Sequence, residues 1–424
     1  MKRVLYIQHA GALGGSAVSL RNMAIGVRSQ GWDTVIALAR PSPELTSYYR
    51  SYGFSPIAAS DVVCWDHSTV APRHLSNPRH ILDLARVSRR WRLGKQATLQ
   101  LIDSVKPDVV HLNSMPLSNA ADALAEAGIP FVWHVREPPP DQGFRTRMIR
   151  RIMQRSPTCV FICEHDRREW LGPAGGQIVY NSVPDDWFMP QPHGAALPGD
   201  LQGLRPFLFA GGMATIKGAD VLCDALQMLA AKRTDWVCRM PGAVAEPTPL
   251  TVRQALKRIA GWIGFRPMPE RLLERFRSLG ERVELLPFQK DMRPLMQQAE
   301  FVVFPAVVPH FARPINEAAA LGVPAIGSDV GGVRECIDDR ATGLLCRPSD
   351  PGHLCLCIEQ LLDAPDYRIA LGRQAAIRAR ERYTVSQQMK AILGIYEECI
   401  AKRAPSCTNR PAADVGPSLA NSAP

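Results

Sequence analysis

The sequence of 424 residues predicts an α/β protein made of two Rossmann-like parallel-sheet domains that face each other across a cleft. Three observations support this prediction. The chain is longer than a single hydrophobic core usually serves, so two domains are the natural expectation. Short strands that are apolar along their whole length alternate with helical segments, which is the pattern of parallel sheets covered on both faces. The alternation stops once, over residues 180–205, where four prolines fall, and then begins again.

The first half of the chain shows this alternation clearly. The apolar residues of its first helical segment fall near one face, and Gly31 ends that helix. The expected elements are, in order, a strand at Val4–Ile7, a helix at Ser16–Ser29, and strands at Thr34–Ala39, Asp108–Leu112 and Pro130–His134.

The second half repeats the pattern after the proline-rich stretch. The expected strands are Pro206–Ala210, Val237–Met240, Val283–Leu286, Phe301–Phe304, Pro324–Gly327 and Thr342–Leu345, and the expected helices are Lys217–Ala231, about Pro314–Leu321 and about Ser386–Ala401. The organisation predicted from these elements is a first domain over residues 1–184, a linker over 185–204, a second domain over 205–382, a final helix over 383–402 and a disordered tail over 403–424.

Composition excludes several classes of protein. Hydrophobic content of 46% with 21% charged residues is ordinary for a soluble globular protein, and no stretch reaches the length of a membrane span. The eleven cysteines are dispersed and include no Cys-x-x-Cys, so we expect no zinc site and a reducing compartment. With no secretory signal visible at the first residues, the expected location is cytoplasmic, with contact to the inner face of the membrane left open.

The formal net charge of +10 favours an acidic partner: nucleic acid, an anionic membrane or a phosphorylated ligand. No nucleic-acid recognition module is visible, so nucleic acid is not expected as a partner.

The segment V-P-H-F-A-R-P-I-N-E-A-A-A-L-G-V-P, residues 308–324, is the most informative part of the sequence. A buried strand, a loop and a helix start follow one another, and Glu317 is expected in the first turn of that helix. In a parallel α/β sheet this place lies at the carboxyl edge of the strands, where ligands bind, and a helix start suits an anion such as a diphosphate. A carboxylate there also has a simpler explanation, because it stabilises the helix dipole by about 0.3–1 kcal/mol without any ligand.

Two glycine turns occupy matching places in the two halves. Gly14 and Gly15 lie between the first strand and the first helix, with Ser16 as the expected N-cap. The turn can bring bare backbone close to a phosphate or a sugar, or it can be merely a tight turn. The second turn, residues 211–218, contains Lys217 and is not a Walker P-loop. A lysine at a helix start opposes the dipole, which favours an anion-binding role over a solvated lysine.

Two further segments carry candidate chemistry. His134 ends a predicted strand and is followed at once by Arg136 and Glu137 in W-H-V-R-E-P-P-P. This places the histidine near the expected cleft, although a half-buried histidine bonded to backbone and an Arg136–Glu137 ion pair remain the simpler alternatives. The turn G-G-V-R-E at residues 331–335 repeats the arrangement around Glu317, with Glu335 expected in the first turn of another helix.

These motifs resemble a known family. Over nearly the whole chain up to about Arg403, the sequence is similar to the glycosyltransferases of the GT-B fold, and specifically to the retaining family 4. The family pattern in the second domain is E-x₇-E, often written E-P-F-G-R-P-x-x-E-A-x-A-x-G-x-P. This chain reads P-H-F-A-R-P-I-N-E-A-A-A-L-G-V-P, in which Phe311, Arg313, Pro314 and Glu317 match.

The resemblance implies a role for each candidate residue. It implies that the first domain binds the acceptor, that a nucleotide-sugar donor lies mostly against the second domain, and that the final helix crosses back onto the first. Glu317 is then expected to bind the ribose, and Lys217 the diphosphate. Gly14 and Gly15 are expected to close over the phosphates, and Phe311, Ala312, Arg313 and Pro314 form the loop whose backbone amides touch the sugar and phosphate. His134 is expected near the transferred sugar, and Glu335 matches the Glu of the G-G-x-x-E turn.

Two departures from the family pattern bear on the donor. Pro309 stands where the first Glu of the pair usually contacts the sugar hydroxyls, and Gly212 stands where an arginine often accompanies the lysine. Loss of the carboxylate removes a hydrogen bond of roughly 1.5–3 kcal/mol. Either His310 or a main-chain group substitutes for it, or activity is weakened, and Arg313 is a candidate for the missing positive charge. The alternative function is therefore a degenerate GT-B module that binds sugar nucleotide or glycan without turnover.

The reaction implied by the resemblance is transfer of a sugar from a UDP- or GDP-sugar with retention of configuration. No convincing carboxylate pair for double displacement is visible, so front-face attack is expected, with no metal and no cofactor. We expect the acceptor, a glycan or lipid-linked glycan of cell-surface polysaccharide synthesis, on the first domain, with Arg136 and Glu137 as candidate contacts. Two basic stretches there, residues 86–95 around Trp91 and residues 145–155, suit either an anionic membrane surface or ordinary solvated helix faces.

Overall fold

The computed structural model describes residues 1–65, 78–156, 158–188, 203–244 and 268–402, and for residues 78–88 and 268–269 it describes the backbone alone. Two parallel sheets dominate these residues, so the predicted architecture of two Rossmann-like domains is confirmed. The linker stretch from 189 to 202 and the predicted tail from 403 to 424 lie outside the described residues.

The first sheet has seven strands in the order β3-β2-β1-β4-β5-β6-β7, and every pairing in it is parallel. Its strands are β1 Arg3–Gln8, β2 Asp33–Leu38, β3 Ile57–Ala58, β4 Val109–Asn113, β5 Phe131–Val135, β6 Cys159–Phe161 and β7 Gln177–Ile178. The α-helices of this half are α1 Gly15–Ser29, α2 Pro43–Arg50, α3 Pro78–Val105, α4 Ser118–Glu126, α5 Phe144–Arg155 and α6 Glu164–Leu171, with 3₁₀ turns at Met115–Leu117 and Asp185–Phe188.

The second sheet has six parallel strands in the order β10-β9-β8-β11-β12-β13. Its strands are β8 Arg205–Phe209, β9 Trp236–Pro241, β10 Val283–Leu286, β11 Val302–Phe304, β12 Ala325–Ser328 and β13 Gly343–Cys346. The α-helices of this half are α7 Ala219–Ala230, α8 Met268–Arg277, α9 Arg293–Gln298, α10 Arg313–Ala320, α11 Pro351–Asp363, α12 Pro365–Arg382 and α13 Val385–Ala401, with 3₁₀ turns at Thr215–Lys217 and Gly280–Arg282.

The strand order reverses once in each sheet, between β1 and β4 and between β8 and β11. Ligands of open α/β sheets bind in the crevice outside the carboxyl ends of the strands at such a switch point. The loops that follow β1, β8 and β11 are therefore the ones placed to form a site. They contain Gly14, Lys217 and residues 308–312, and the first and last of them lead directly into α1 and α10.

The final helix α13 crosses back onto the first domain, as the family resemblance implied. Thr384 and Gln387 form a capping box at its start. Met389, Ile392 and Tyr396 are buried in the apolar cluster that lies between α1, α13 and the first sheet. Burial of such side chains stabilises the folded chain by about 1.5–3 kcal/mol each, so the second half of the chain contributes directly to the core of the first.

Candidate active site

The glycine turn after β1 forms the start of α1. Gly14 is the N-cap in an extended conformation, and its carbonyl accepts hydrogen bonds from the backbone N–H groups of Ala17 and Val18, both at 3.1 Å. The expectation that Ser16 caps this helix is wrong, because the helix begins at Gly15. The hydroxyl of Ser16 instead accepts a hydrogen bond from Gln8 at 3.3 Å. The start of α1 therefore presents backbone only, with open space beside Gly14.

Lys217 lies in the matching loop after β8. It ends the 3₁₀ turn Thr215–Lys217 and precedes Gly218, which has φ +80° and whose Cβ, if present, would overlap the carbonyl oxygen of Pro305. The predicted helix start at Lys217 is therefore wrong by two residues, since α7 begins at Ala219 after this left-handed glycine. Burial lowers the pKa of Lys217, and the nearby charge of Arg313 lowers it further.

Arg313 connects the two sides of the crevice. It begins α10, and its Nε lies 3.0 Å from Oε1 of Glu317, one turn later. Its Nη1 lies 3.9 Å from the position that a Cβ would take on Gly15 of the first domain. Among the described residues this buried Nη1 has no hydrogen-bond partner. A guanidinium group of the second domain thus reaches the helix start of the first.

Glu317 was expected in the first turn of its helix, but it lies in the second turn of α10. The helix begins at Arg313, one residue earlier than predicted. Pro314 fits into its first turn because the backbone N–H groups there have no partner within the helix, so the missing N–H of proline costs nothing. Burial raises the pKa of the Glu317 carboxyl, and the charge of Arg313 opposes that change. The dipole of α10 therefore explains little of the position of this carboxylate.

Aromatic contacts hold the loop that precedes α10. The ring of His310 stacks on Phe304 with centroids 5.7 Å apart, and its backbone N–H donates to the carbonyl of Gly331 at 2.9 Å. Phe311 stacks on Tyr180, with centroids 6.0 Å apart. Burial and the charge of Lys217 lower the pKa of His310 to about 4, so this imidazole is neutral at pH 7. These contacts fix the backbone of residues 310–314 beside Lys217.

Glu335 lies in a turn of the second domain and contacts the first domain. Residues 331–336 form turns, so the helix expected after the glycine pair is absent. The carboxylate of Glu335 accepts hydrogen bonds from the backbone N–H groups of Glu164 and His165, each at 2.7 Å, at the start of α6 in the first domain. Both oxygens of Glu335 are thus engaged in a contact between domains.

His134 lies within β5, one residue before its end, and is fully buried. Its Nδ1 lies 3.2 Å from Nε2 of His111, and its own Nε2 has no hydrogen-bond partner among the described residues. Burial lowers the pKa of His134 well below its usual value, and the charges of Arg136 and His111 act in the same direction. The structure thus brings His134 to the carboxyl edge of the first sheet, below its surface.

Arg136 and Glu137 follow at the same edge. Arg136 donates from Nε to Oδ1 of Asn113 at 2.7 Å and from Nη1 to Oδ1 of Asn181 at 2.6 Å. Burial lowers the pKa of Arg136 to about 10. The backbone carbonyl of Glu137 accepts a hydrogen bond from the indole of Trp170 at 2.7 Å. Arg136 therefore ties the end of β4 to the segment that leaves the first domain.

Two polar side chains that were not predicted from the sequence, Gln8 and Asn113, lie in a row with His134 beneath the glycine turn. Gln8, Asn113 and His134 are register partners on adjacent strands of the first sheet, so their side chains lie on one face. The amide of Asn113 donates to Gln8 and also to the backbone carbonyl of Ser16, the latter at 3.2 Å. The sequence contains a signal for them, because each is a polar residue in one of the last two positions of a mostly apolar strand.

Only some of the basic side chains in the two basic stretches of the first domain are exposed to solvent. The indole of Trp91 donates to Asp122 at 3.2 Å and packs edge-on against Trp65, so this ring faces the protein. Lys95 and Arg155 also pair with Asp122, at 2.6 and 2.5 Å. The exposed basic side chains that the structure describes here are Arg89, Arg90, Arg92, Arg147, Arg151 and Arg155.

Two negative findings concern the described residues alone. No helix there combines the length and apolar character that a membrane crossing requires. No group of three or more His, Cys, Asp or Glu side chains in the described ranges is arranged to hold a metal ion.

Both halves of the chain match family models. Residues 14–183 match the model described as a glycosyl transferase 4-like domain, and residues 205–364 match the model described as glycosyl transferases group 1. The D-inositol 3-phosphate glycosyltransferase of Corynebacterium kroppenstedtii is 27% identical over 201 residues, which cover 46% of this chain and 40% of that protein. The match therefore spans less than half the length of that relative.

Two further comparisons cover most of the chain. The glycogen synthase of Mycobacterium tuberculosis is 25% identical over 405 residues, which cover 88% of this chain and 87% of that protein. The crystal structure of Anabaena Alr3699/HepE in complex with UDP and glucose is similar, with a TM-score of 0.69 at 16% identity, over 94% of this chain and 100% of that one. At this identity the structural likeness shows the fold alone.

Proposed function

Because the chain belongs to the group 1 glycosyltransferases, family 4 of the GT-B fold, we propose that it transfers a sugar from a UDP- or GDP-sugar to an acceptor hydroxyl with retention of anomeric configuration. The observation that carries the proposal is the approach of Arg313 to the start of α1, with Lys217 near enough that the charge of Arg313 lowers its pKa. Two cations and the positive end of a helix dipole repel one another, and a diphosphate bound between them would offset that repulsion.

The positive charge beside Lys217 comes from an unexpected position. Gly212, where relatives often have an arginine, has φ +60° and carries no side chain, whereas Arg313 is the charge that lowers the pKa of Lys217. We infer that Arg313 takes over the role of that arginine. Glu317, held by Arg313, would then meet the ribose of the donor, and the backbone of residues 311–314 the sugar and phosphates.

In the proposed reaction the bond between the anomeric carbon and the β-phosphate oxygen breaks. The acceptor oxygen forms the new bond on the same face of the sugar, and its proton passes to the departing diphosphate. Lys217, Arg313 and the amides of the glycine turn stabilise the negative charge that develops on this leaving group, which is the main catalytic contribution expected from such a site.

The UDP in the Anabaena structure supports a nucleotide-sugar donor for this chain. The acceptor is less constrained, because the relatives are named for different products, an inositol phosphate glycoside and glycogen. We propose a glycan or lipid-linked glycan of cell-surface polysaccharide synthesis. The exposed arginines of α3 and α5 on the first domain support an acidic acceptor or an anionic surface, whereas the inward position of Trp91 removes the aromatic anchor from that surface.

The decisive experiment incubates the purified full chain with a panel of UDP- and GDP-sugars, with and without a mixture of glycan acceptors. Mass spectrometry then detects released nucleoside diphosphate and glycosylated product, and calorimetry measures nucleotide binding. Turnover of one donor supports the proposal. Tight binding without release of nucleoside diphosphate from any donor would favour the alternative, a module that binds without turnover. That alternative is suggested by Pro309, which replaces the first Glu of the family motif. If the chain neither binds nor turns over any donor in the panel, both the transferase and the binding module are contradicted.

A further inference from the structure

Four fully buried side chains form a line of hydrogen bonds from the C-terminal helix to the end of β5. They are Tyr6 of β1, Tyr396 of α13, His111 of β4 and His134 of β5. The hydroxyl oxygens of Tyr396 and Tyr6 are 3.3 Å apart, Tyr396 Oη lies 2.7 Å from His111 Nδ1, and His111 Nε2 lies 3.2 Å from His134 Nδ1. The line crosses from the second half of the chain into the sheet of the first domain.

The direction of proton donation follows from Tyr396. Its hydroxyl has one proton, which can go to Tyr6 Oη, to Met23 Sδ at 3.9 Å or to His111 Nδ1, and we assign it to Tyr6, toward which Tyr396 is placed as the donor. The oxygen of Tyr396 is then an acceptor toward His111, and so His111 must carry its proton on Nδ1. Because a neutral imidazole has one proton, Nε2 of His111 is an acceptor in turn.

The same reasoning sets the state of the second ring. With His111 Nε2 as an acceptor, the hydrogen bond between the rings requires a proton on Nδ1 of His134. The Nε2 of His134 is then left with its lone pair, and it is the atom that has no partner among the described residues. Burial and the charge of Arg136 lower the pKa of both histidines well below the usual value, so both rings stay neutral near pH 7.

We propose that Tyr396 and His111 are positioning residues that hold His134 as the Nδ1–H tautomer, so that its Nε2 offers a lone pair to a ligand hydroxyl at the end of β5. The role of His134 toward the ligand rests on the proposed function, whereas its tautomer does not. A ring held in the opposite tautomer would present an N–H group and would repel the same hydroxyl hydrogen. The C-terminal helix, which lies across the first domain, therefore sets the chemistry of a group at the site edge.

The direct test is nitrogen NMR of the histidine rings in the full chain labelled with ¹⁵N-histidine. Of the ten histidines, the signals of His111 and His134 are assigned by their loss in His111→Gln and His134→Gln. In the unmodified protein both rings should be neutral Nδ1–H tautomers across pH 6–8. An Nε2–H tautomer at His134 in that protein would overturn the proposal without any need for a variant.

Tyr396→Phe removes the acceptor oxygen and tests the positioning role. His134 should then lose its single Nδ1–H state and acquire Nε2–H population. Tyr49→Phe is the matched control, because it deletes another buried tyrosine hydroxyl of the same apolar cluster that bonds only to the backbone carbonyl of Ala17 among the described contacts. An unchanged His134 tautomer in Tyr396→Phe would overturn the role of Tyr396.

Kinetics then separates this proposal from the proposed function. Once a donor is known, Tyr396→Phe should lower kcat by about tenfold while the donor KM stays nearly constant, and Tyr49→Phe should leave both unchanged. An unaltered kcat in a variant whose tautomer has changed would overturn the link to the reaction. If the unmodified chain turns over no donor, the proposed function fails, and the NMR result still decides the tautomer.

Discussion

The carboxylate of Glu335 in the second domain accepts a hydrogen bond from the backbone N–H of Glu164 in the first, at 2.7 Å. The next N–H, that of His165, donates to the other oxygen of the same carboxylate. These two donors are at the start of α6, so a negative charge from one domain caps a helix of the other. Gly331 lies against His165, where a Cβ would overlap the imidazole, so the two domains touch closely at this point.

Glu335→Ala should loosen this contact between domains. Hydrogen bonds to a charged group are worth roughly 1.5–3 kcal/mol, so the open arrangement should gain population and the donor KM should rise. Small-angle X-ray scattering should show a larger radius of gyration without nucleotide. Glu398→Ala, which removes an exposed carboxylate of α13, is the control. Identical scattering from both variants would mean that Glu335 does not hold the domains together.

Lys217→Met should lower kcat about 100- to 1,000-fold, because it removes a half-buried cation at the place where charge develops on the leaving group. Lys232→Met is the matched control, since Lys232 belongs to the same domain and pairs with Glu359 at 2.8 Å on the exposed side. Steady-state kinetics together with thermal unfolding curves separates a catalytic loss from a folding defect. Unchanged turnover in Lys217→Met would remove the diphosphate role of this residue.

Glu317→Gln should weaken the binding of free UDP and GDP by about tenfold, the size expected from the loss of one charged hydrogen bond to the ribose. Isothermal titration calorimetry measures this directly. Glu359→Gln changes a carboxylate of the same domain that pairs with Lys232 and serves as the control. If Glu317→Gln binds both nucleotides as tightly as the unmodified chain, the ribose role is wrong.

Asp166 should make stability depend on pH near neutrality. Burial raises its pKa to about 7, and the charges of Glu335 and Glu137 act in the same direction. The folded protein then keeps a proton that the unfolded chain releases above about pH 4. Stability is therefore lost as the pH rises from about 4 to 7, by at most about 1.4 kcal/mol per pH unit from this group, and levels off above pH 7.

Urea unfolding at pH 5, 6, 7 and 8 measures this dependence. Asp166→Asn should flatten it relative to the unmodified chain, and Asp363→Asn, at an exposed position, should leave it as it is. Parallel curves for the unmodified chain and Asp166→Asn would show that Asp166 does not take up a proton on folding.

Local patterns predicted the strands at the centres of both sheets. The strands at 4–7 and 301–304 were placed within one or two residues because a run of apolar residues bounded by polar residues or proline has few alternatives in a parallel sheet. Predictions that depended on where a helix begins were less accurate. Ser16 was predicted to be an N-cap, but α1 begins one residue before it, with Gly14 as the cap. Lys217 and Glu335 were each expected at a helix start, but the left-handed Gly218 separates Lys217 from α7, and turns replace the helix expected around Glu335.

The sequence by itself determined the two-domain parallel fold, the glycine turn at 14–15 and the loop that contains Lys217 and Glu317, since these follow from the order of apolar runs and turn residues along the chain. Only the tertiary structure decided that Arg313 reaches Gly15, that Glu335 caps α6, and that Tyr396 meets His111. Each of these contacts joins residues more than 150 positions apart. Their approach depends on how two separately folded sheets pack and where the last helix returns, and no local pattern of residues encodes that geometry.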